Sequence, residues 1–319
     1  MEFFTSLALF IIGFFILIKG AGILVNGATS VAHVFRVSSW FIGMVIIGFG
    51  TSIPEFSISI ASVFDGNNIG LGTIIGTNVF NTLVIFGLSA IFVPIIMKKE
   101  WVIKDLVINI AATAVGSAVI LLSLLGDSAF VGVTREEGAV LFVLLIFWIW
   151  SLFKRTSSEE ESAADYHVFT VFTSLVMITA GFIGVFLGGK WVVDGAETIA
   201  TLIGASPTLI ALTIVAIGTS LPELVVSIVA MFKRNTGIAV GNIIGSNIFD
   251  FLGILGITAL IHPIPVFENL QFDILATFGA TTFLFLFMVI GKRYRLVRTE
   301  GLILCVLYVA YISFVIVRG

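Results

Sequence analysis

The segment Gly50-Thr51-Ser52-Ile53-Pro54-Glu55 places a carboxylate between helix-breaking residues inside the apolar stretch 39–64. A near copy, Gly218-Thr219-Ser220-Leu221-Pro222-Glu223, lies 168 residues later inside the apolar stretch 206–232. An ionised carboxylate that faced lipid would be costly, so such residues usually face a protein interior or a water-filled cavity. The duplicated motif therefore predicts an internal site with two acidic residues.

The composition is that of a membrane protein with many spans. Of the 319 residues, 59% are hydrophobic and only 11% are charged, and the mean hydropathy is +1.19. A soluble domain carries about a quarter of its residues as charged side chains, so an enzyme folded in water is excluded. The net charge of −3 offers no basic surface for a nucleic acid. The single cysteine, Cys305, can form neither an intrachain disulfide nor a thiolate metal site.

Ten apolar stretches follow one another along the chain, each near the length that crosses a bilayer as a helix. The predicted fold class is therefore an all-α polytopic membrane protein with ten transmembrane helices, in contact with the lipid bilayer. The ten stretches are residues 3–25, 39–64, 69–97, 106–126, 137–153, 168–193, 206–232, 236–261, 270–291 and 301–317.

The two halves of the chain repeat each other. Besides the two hexapeptides above, Gly76-Thr77-Asn78-Val79-Phe80-Asn81 matches Gly245-Ser246-Asn247-Ile248-Phe249-Asp250 at an offset of 169. An odd number of spans separates the copies, which makes them an inverted-topology repeat of the kind found in secondary transporters. We predict two inverted repeats of five helices each. Their boundaries are 1–155 with its motif in 48–81, a cytoplasmic linker in 156–167, and 168–319 with its motif in 216–250.

The distribution of basic residues orients the chain in the membrane. If the N-terminus lies outside, twelve of the sixteen Lys and Arg residues fall in cytoplasmic connections and only Arg135 and Arg318 fall outside. Cytoplasmic loops carry such an excess of Lys and Arg. We therefore expect a multi-pass protein of the cell membrane with both termini extracellular.

The residues around the two acids supply oxygen ligands. Thr51 lies four residues before Glu55, and Thr219 lies four before Glu223, so on a continuous helix each hydroxyl would lie one turn from its carboxylate. Proline also removes a backbone donor and frees nearby carbonyls. Oxygen donors without His or Cys favour hard cations such as Ca²⁺. The alternative is a neutral glutamate hydrogen-bonded between helices, which would have to arise twice in the same motif.

The same four-residue spacing joins Thr77 to Asn81 and Ser246 to Asp250. We expect the four pairs to converge on one cavity near the membrane midplane, because secondary transporters place their sites there. Asn78 and Asn247 follow directly after the site hydroxyls and point away from them. A hydrogen bond between helices explains these two amides at least as well as ligation does, so we leave them out of the site.

These motifs resemble those of the cation/calcium exchanger superfamily, and in particular its compact prokaryotic sodium/calcium exchangers. The resemblance covers nearly the whole chain. It implies a secondary antiporter rather than an enzyme, which exchanges Na⁺ for Ca²⁺ by alternating access, normally extrudes Ca²⁺ and needs no cofactor. No obligate protein partner is evident. Carried over by motif, the metal ligands are Thr51, Ser52, Glu55, Thr77 and Asn81 in the first repeat and Thr219, Ser220, Glu223, Ser246 and Asp250 in the second, with the carbonyls of Gly48 and Ala216 as further candidates.

Other coupling ions and other function classes stay open at this point. Potassium-coupled exchangers resemble the sequence at Asp250, and proton-coupled calcium antiporters are a further alternative. Paired carboxylates also serve as general acid and base in intramembrane enzymes, and carboxylate rings line the filters of channels. Inverted repeats with interrupted helices favour the antiporter.

Overall fold

A computed structural model describes residues 2–66, 69–125, 131–155, 168–204, 216–266 and 270–318. The described residues form an all-helical membrane protein, which confirms the predicted class. Eight of their helices are long and apolar enough to cross a bilayer, and the bent pair Ser39–Thr51 and Ile53–Phe64 makes a ninth candidate. Leu221–Phe232 is a shorter apolar helix, and residues 205–215 of the predicted seventh span lie outside the described residues. The ten-helix count therefore stays a prediction.

The helices and strands are numbered here in chain order. The α-helices are α1 Glu2–Val34, α2 Ser39–Ile42, α3 Gly48–Thr51, α4 Ile53–Phe64, α5 Ile69–Phe80, α6 Phe86–Phe92, α7 Val107–Leu125, α8 Arg135–Arg155, α9 Val171–Leu202, α10 Ala216–Gly218, α11 Leu221–Phe232, α12 Thr236–Ile248, α13 Leu255–Ile261, α14 Gln271–Ile290 and α15 Arg298–Arg318. Four π-helices interrupt or extend them: π1 Gly43–Ile47, π2 Asn81–Ile85, π3 Trp101–Leu106 and π4 Phe249–Ile254. The strands are β1 Ile95–Ile96, β2 Gly132–Val133, β3 Ile264–Pro265 and β4 Arg295–Leu296.

Two short antiparallel strand pairs tie the helix ends together. Strand β1 pairs with β4, with Ile95 opposite Leu296, and β2 pairs with β3, with Val133 opposite Ile264. All four of these side chains are nearly or fully buried. The strand pairs therefore connect the segments that follow α6 and α14 and the segments that lie before α8 and after α13.

The chain forms two compact units, and each takes helices from both halves of the sequence. The first unit is Met1–Thr51, Thr156–Asn242 and Ile316–Gly319, and the second is Ser52–Arg155 and Ile243–Val315. These units describe packing, whereas the boundaries 1–155 and 168–319 describe sequence repetition, and the latter stay a prediction. The linker 156–167 lies outside the described residues.

In the first unit, α1 packs directly against α9. A Cβ added at Gly188 would lie 2.5 Å from the Leu17 nitrogen and 2.8 Å from the Gly13 carbonyl oxygen. Such distances leave room only for glycine, and small residues let membrane helices approach closely. The contact therefore joins backbone to backbone. The glycines involved are spaced by seven residues on both helices, at Gly13, Gly20 and Gly27 and at Gly181, Gly188 and Gly195.

The turn between α11 and α12 is fastened to the same α1 helix. The Lys233 ammonium donates hydrogen bonds to the Gly22 carbonyl, at 2.8 Å, and to the Asn26 side-chain oxygen. Asn235 Nδ2 donates to Thr29 Oγ1 at 3.0 Å. Burial lowers the pKa of the Lys233 ammonium. The connection between α11 and α12 is therefore hydrogen-bonded to α1 at Gly22 and Asn26 and again, about one helical turn later, at Thr29.

The most enclosed spans are those that carry the second duplicated motif. Within the spans Ile69–Phe92 and Thr236–Ile261, 78% and 83% of the most apolar window is buried, whereas the other unbroken candidate spans among the described residues reach at most 39%. A membrane helix surrounded by other helices is shielded from lipid and can hold polar side chains. The second duplicated motif therefore lies on the two most buried of these unbroken spans.

Candidate functional site

The first acidic motif lies at a break between two helices. Helix α3 ends at Thr51 and α4 begins at Ile53, and the chain bends by 43° between the helical segment Ser39–Thr51 and α4. Pro54 lies in the first turn of α4, where its missing N–H group costs no helical hydrogen bond. Glu55 follows in that turn and is 0% exposed. The predicted interruption is confirmed.

The second acidic motif has the same local structure. Helix α10 ends at Gly218 and α11 begins at Leu221, with Glu223 in its first turn at 0% exposure. The residue at each break has nearly the same backbone conformation, φ −82° and ψ 10° at Ser52 and φ −90° and ψ 3° at Ser220. This region of φ and ψ is sparsely populated and often holds active-site residues. The duplicated sequence therefore encodes a duplicated backbone shape.

The break also changes one expectation. The four-residue spacing of Thr51 and Glu55 placed their side chains on one helix face only if the helix was continuous. The interruption at Ser52 assigns them to separate helices, α3 and α4. Thr219 and Glu223 are likewise separated by the start of α11. Sequence spacing therefore gives no shared face for these two pairs.

Both copies of the second motif contain a π-helix at the same place. π2 begins at Asn81, and π4 spans Phe249–Ile254 and contains Asp250. Short π-helices inside α-helices are rare and frequently occur at functional sites. Because Asn81 and Asp250 are repeat mates at an offset of 169, the same irregular turn presents both predicted ligands.

Amide side chains join these two motifs within the second unit. Asn78 Nδ2 donates to Asp250 Oδ2 at 2.9 Å, and Asn81 Nδ2 donates to Asn247 Oδ1 at 3.0 Å. Asn247 Nδ2 in turn donates to Thr82 Oγ1 at 3.2 Å. Asn78 and Asn247 therefore form the hydrogen bonds between helices that their positions suggested. They hold the side chains of two predicted ligands.

Some side-chain oxygen atoms of the same residues accept no hydrogen bond in this arrangement. Asn78 Oδ1 and Asn81 Oδ1 are buried and have no hydrogen-bond partner among the described residues, and the Asp250 carboxylate lies beside them. A buried acceptor without a partner costs about 1–3 kcal/mol, and a hard cation is the natural partner for several such oxygens. The second unit can therefore offer carbonyl and carboxylate oxygens to a cation.

The predicted ligands divide between the two units, and all but Thr219 are buried. Whether these residues bind ions stays a prediction. The second unit contains Ser52, Glu55, Thr77, Asn81, Ser246 and Asp250, and the first contains Thr51, Thr219, Ser220 and Glu223.

One polar residue beside these ligands was missed by the sequence analysis. Asn242 is 0% exposed, accepts a hydrogen bond from Thr51 Oγ1 at 3.0 Å and donates to the Glu223 carbonyl at 3.3 Å. It also donates to Ser227 Oγ at 2.9 Å. Its signal was a second amide besides Asn247 in the apolar span Thr236–Ile261, but its repeat position holds Thr73 and so the duplication did not mark it.

Several known proteins are similar to this chain over nearly its whole length. The family model described as Sodium/calcium exchanger protein matches residues 5–154 and 173–317. An uncharacterized membrane protein of Methanocaldococcus jannaschii is 34% identical over 305 residues, covering 95% of this chain and 96% of that protein. Sodium/calcium exchanger MaX1 of Methanosarcina acetivorans is 29% identical over 352 residues, covering 97% of each. The structure of the sodium-calcium exchanger NCX_Mj soaked with 2.5 mM Na⁺ and 0.1 mM Ca²⁺ matches with a TM-score of 0.81 and 31% identity, covering 97% of this chain and 98% of that one.

Proposed function

Because the chain belongs to the sodium/calcium exchanger protein family, we propose that it is a secondary antiporter that exchanges Na⁺ for Ca²⁺ across the cell membrane. The family consists of transporters, so the intramembrane enzyme is no longer an alternative. Its transported ions are Ca²⁺ and Na⁺, and it uses no cofactor. The similar proteins of two archaea are consistent with a prokaryotic exchanger.

The observation that carries this proposal is the burial of the two motif carboxylates. Glu55 and Glu223 are each 0% exposed in the first turn of a helix that follows a break. The positive end of a helix dipole favours a carboxylate there, but only modestly. A buried ionised group is otherwise very costly unless it is paired or coordinates a metal. Bound cations therefore explain why an apolar protein keeps both acids.

The remaining ligands follow from the motifs and from their burial. Around the acids we assign ligand roles to hydroxyl, amide and carboxylate oxygens, which suit Na⁺ and Ca²⁺ alike. The buried Asn81 Oδ1, which has no hydrogen-bond partner among the described residues, supports this assignment in the second unit. The proposed set is the ten residues predicted from sequence: Thr51, Ser52, Glu55, Thr77, Asn81, Thr219, Ser220, Glu223, Ser246 and Asp250.

Exchange follows if both ions need the same carboxylates. Ca²⁺ and Na⁺ then exclude one another, and an empty site with bare charges is too unfavourable to enclose in a low-dielectric interior. The protein would change sides only when loaded, by alternating access of two inverted five-helix repeats. The moving helices would be α1 and α9, sliding across the helices that carry the site, and their close backbone contact along Gly13, Gly20 and Gly188 supports movement of the two together. Inward flow of Na⁺ would drive Ca²⁺ out of the cell. In this proposal the chain has ten spans, and both of its termini lie outside the cell.

The direct test is ⁴⁵Ca²⁺ uptake into proteoliposomes loaded with Na⁺. We expect uptake that depends on internal Na⁺ and is absent when choline replaces Na⁺ or when the liposomes lack protein. Uptake driven only by a pH gradient would assign the chain to proton-coupled antiport instead. Uptake that is the same with and without the Na⁺ and pH gradients would indicate a channel. No uptake at all would contradict the proposal.

Potassium coupling is the second candidate, and Asp250 is the observation that favours it. This third acid of the duplicated motifs is 0% exposed and has no acidic counterpart in the first repeat, where Asn81 stands. An additional carboxylate can neutralise an additional monovalent ion. Adding external K⁺ to the uptake assay decides the matter, because only a potassium-coupled exchanger requires K⁺ on the same side as Ca²⁺.

A further inference from the structure

The hydrogen bonds around Asn242 fix which way its amide points. The Ser227 hydroxyl donates to the Ala239 carbonyl at 3.2 Å, so its oxygen is left to accept from Asn242 Nδ2 at 2.9 Å. The Glu223 carbonyl, at 3.3 Å, is also only an acceptor. Two partners that need a donor therefore place the NH₂ group of Asn242 toward α11. Its oxygen must then face Thr51.

This orientation decides what the Thr51 hydroxyl does. An amide oxygen can only accept, so Thr51 Oγ1 donates its proton to Asn242 at 3.0 Å. The same hydroxyl lies 3.3 Å from the Gly48 carbonyl, the acceptor one helical turn back. One proton cannot serve both acceptors well. Without Asn242 the proton would turn to Gly48, as Ser and Thr hydroxyls in helices commonly do.

We propose that Asn242 is a positioning residue for cation binding. By accepting the Thr51 proton, Asn242 fixes the direction in which the Thr51 hydroxyl oxygen is presented to a cation. Its other end is bonded to the backbone of Glu223, so one amide couples a hydroxyl of the first motif to the acid of the second. The inference rests on the proposed function, since it takes Thr51 as a cation ligand.

The test measures how strongly Na⁺ and Ca²⁺ raise the melting temperature of the purified protein in detergent. A ligand that binds only the folded state stabilises it by an amount that grows with the logarithm of its concentration divided by Kd, and this readout does not require transport. The variants are Asn242→Leu, Thr51→Val and the double variant. The control is Asn235→Leu, which removes another buried amide from the same turn-to-helix region, where it bonds Thr29.

We expect Asn242→Leu to raise the apparent Kd for Na⁺ by about fivefold, the effect of one lost hydrogen bond. In the Thr51→Val background the same substitution should change the Kd by less than about twofold, because residues that act through one another are not additive. Asn235→Leu should lower the ion-free melting temperature and leave the Kd unchanged. If Asn242→Leu does not fold, Asn242→Ser is measured, since its shorter side chain cannot bridge Thr51 and Glu223.

An unchanged Kd in the Asn242→Leu variant would overturn the inference. So would a double variant whose change in Kd equals the product of the changes caused by Asn242→Leu and Thr51→Val alone. A Kd shift of equal size in Asn235→Leu would also do so, because it would show a general effect of losing a buried amide. Failure of the exchanger proposal is seen separately, as wild-type protein that binds Na⁺ and Ca²⁺ but does not couple their fluxes in proteoliposomes.

Discussion

Asn78 donates a 2.9 Å hydrogen bond to Asp250, and their repeat mates, Asn247 and Asn81, are joined at 3.0 Å with the donor and acceptor positions exchanged. The repeat thus preserves the contact but not its direction. An ionised Asp can only accept, so Asn78 must donate when Asp250 takes the place that Asn81 holds in the other copy. A single change from amide to acid reverses the bond and adds one carboxylate to the site.

This relationship predicts different outcomes for two substitutions of Asp250. Asp250→Asn keeps an oxygen that accepts from Asn78, so the melting temperature should stay close to that of the wild type. Asp250→Leu leaves an Asn78 N–H group buried without that partner and should destabilise the protein by about 1–3 kcal/mol. Thermal unfolding in detergent measures both. Equal destabilisation by the two variants would mean that charge, not the hydrogen bond, matters for stability.

The two motif carboxylates should be required for transport but costly to stability. In Glu55→Gln and Glu223→Gln, Na⁺-dependent Ca²⁺ uptake should fall below about a hundredth of wild type, since even residues around metal ligands contribute ten- to hundredfold. Without ions, both variants should melt at a higher temperature, because the cost of burying an ionised carboxylate has been removed. Ca²⁺ should no longer stabilise them.

Glu100→Gln is the matched control, since Glu100 is exposed and lies 3.9 Å from Lys104. Surface pairs of this kind contribute little, so uptake and stability should match wild type. If Glu55→Gln or Glu223→Gln kept normal uptake, the glutamate would be a neutral hydrogen-bonding residue and the proposed ligand role would be wrong.

Local sequence was sufficient to predict the broken helices and the buried acids. Gly50 and Pro54 predict the break, because proline interrupts helical hydrogen bonding. Glu55 predicts a buried acid, because a carboxylate in an apolar stretch must avoid lipid. Composition alone was sufficient for the all-helical membrane class. The helix breaks and the buried acids were therefore predictable from interactions between residues about one helical turn apart.

Features that depend on distant contacts could not be predicted in this way. The π-helix at Asn81 has no sequence signature, since it is one extra residue accommodated by packing. Asn242 accepts a hydrogen bond from Thr51, which is 191 residues away in sequence. The interleaving of both halves in each compact unit likewise depends on which helices pack together, and hydropathy says nothing of that.

The α1–α9 contact predicts a sharp dependence on one methyl group. In Gly188→Ala the new Cβ meets the Leu17 nitrogen at 2.5 Å, so the two backbones must separate. We expect a lower melting temperature and a lower transport rate, because small residues permit this close packing. Gly279→Ala is the control, since no described heavy atom lies within 4 Å of its added Cβ. It should be neutral or stabilising by up to about 1 kcal/mol. Equal effects of the two substitutions would argue against a tight α1–α9 contact.

The Lys233 attachment predicts a variant that is less stable yet no slower. Lys233→Met keeps the length of the side chain but removes the hydrogen bonds to the Gly22 carbonyl and to Asn26. Since the ammonium is only half-buried, we expect a loss of about 1 kcal/mol rather than the larger value of a fully buried charged hydrogen bond.

If α1 slides during exchange, these bonds must break in every cycle. Their removal should then leave the maximal rate of Na⁺-driven Ca²⁺ uptake equal to wild type or raise it, while the melting temperature falls. Lys99→Met, at an exposed position, should change neither quantity. A Lys233→Met variant that is both less stable and slower would show that the attachment supports the transporting state itself, and α1 would then be a fixed helix rather than a moving one.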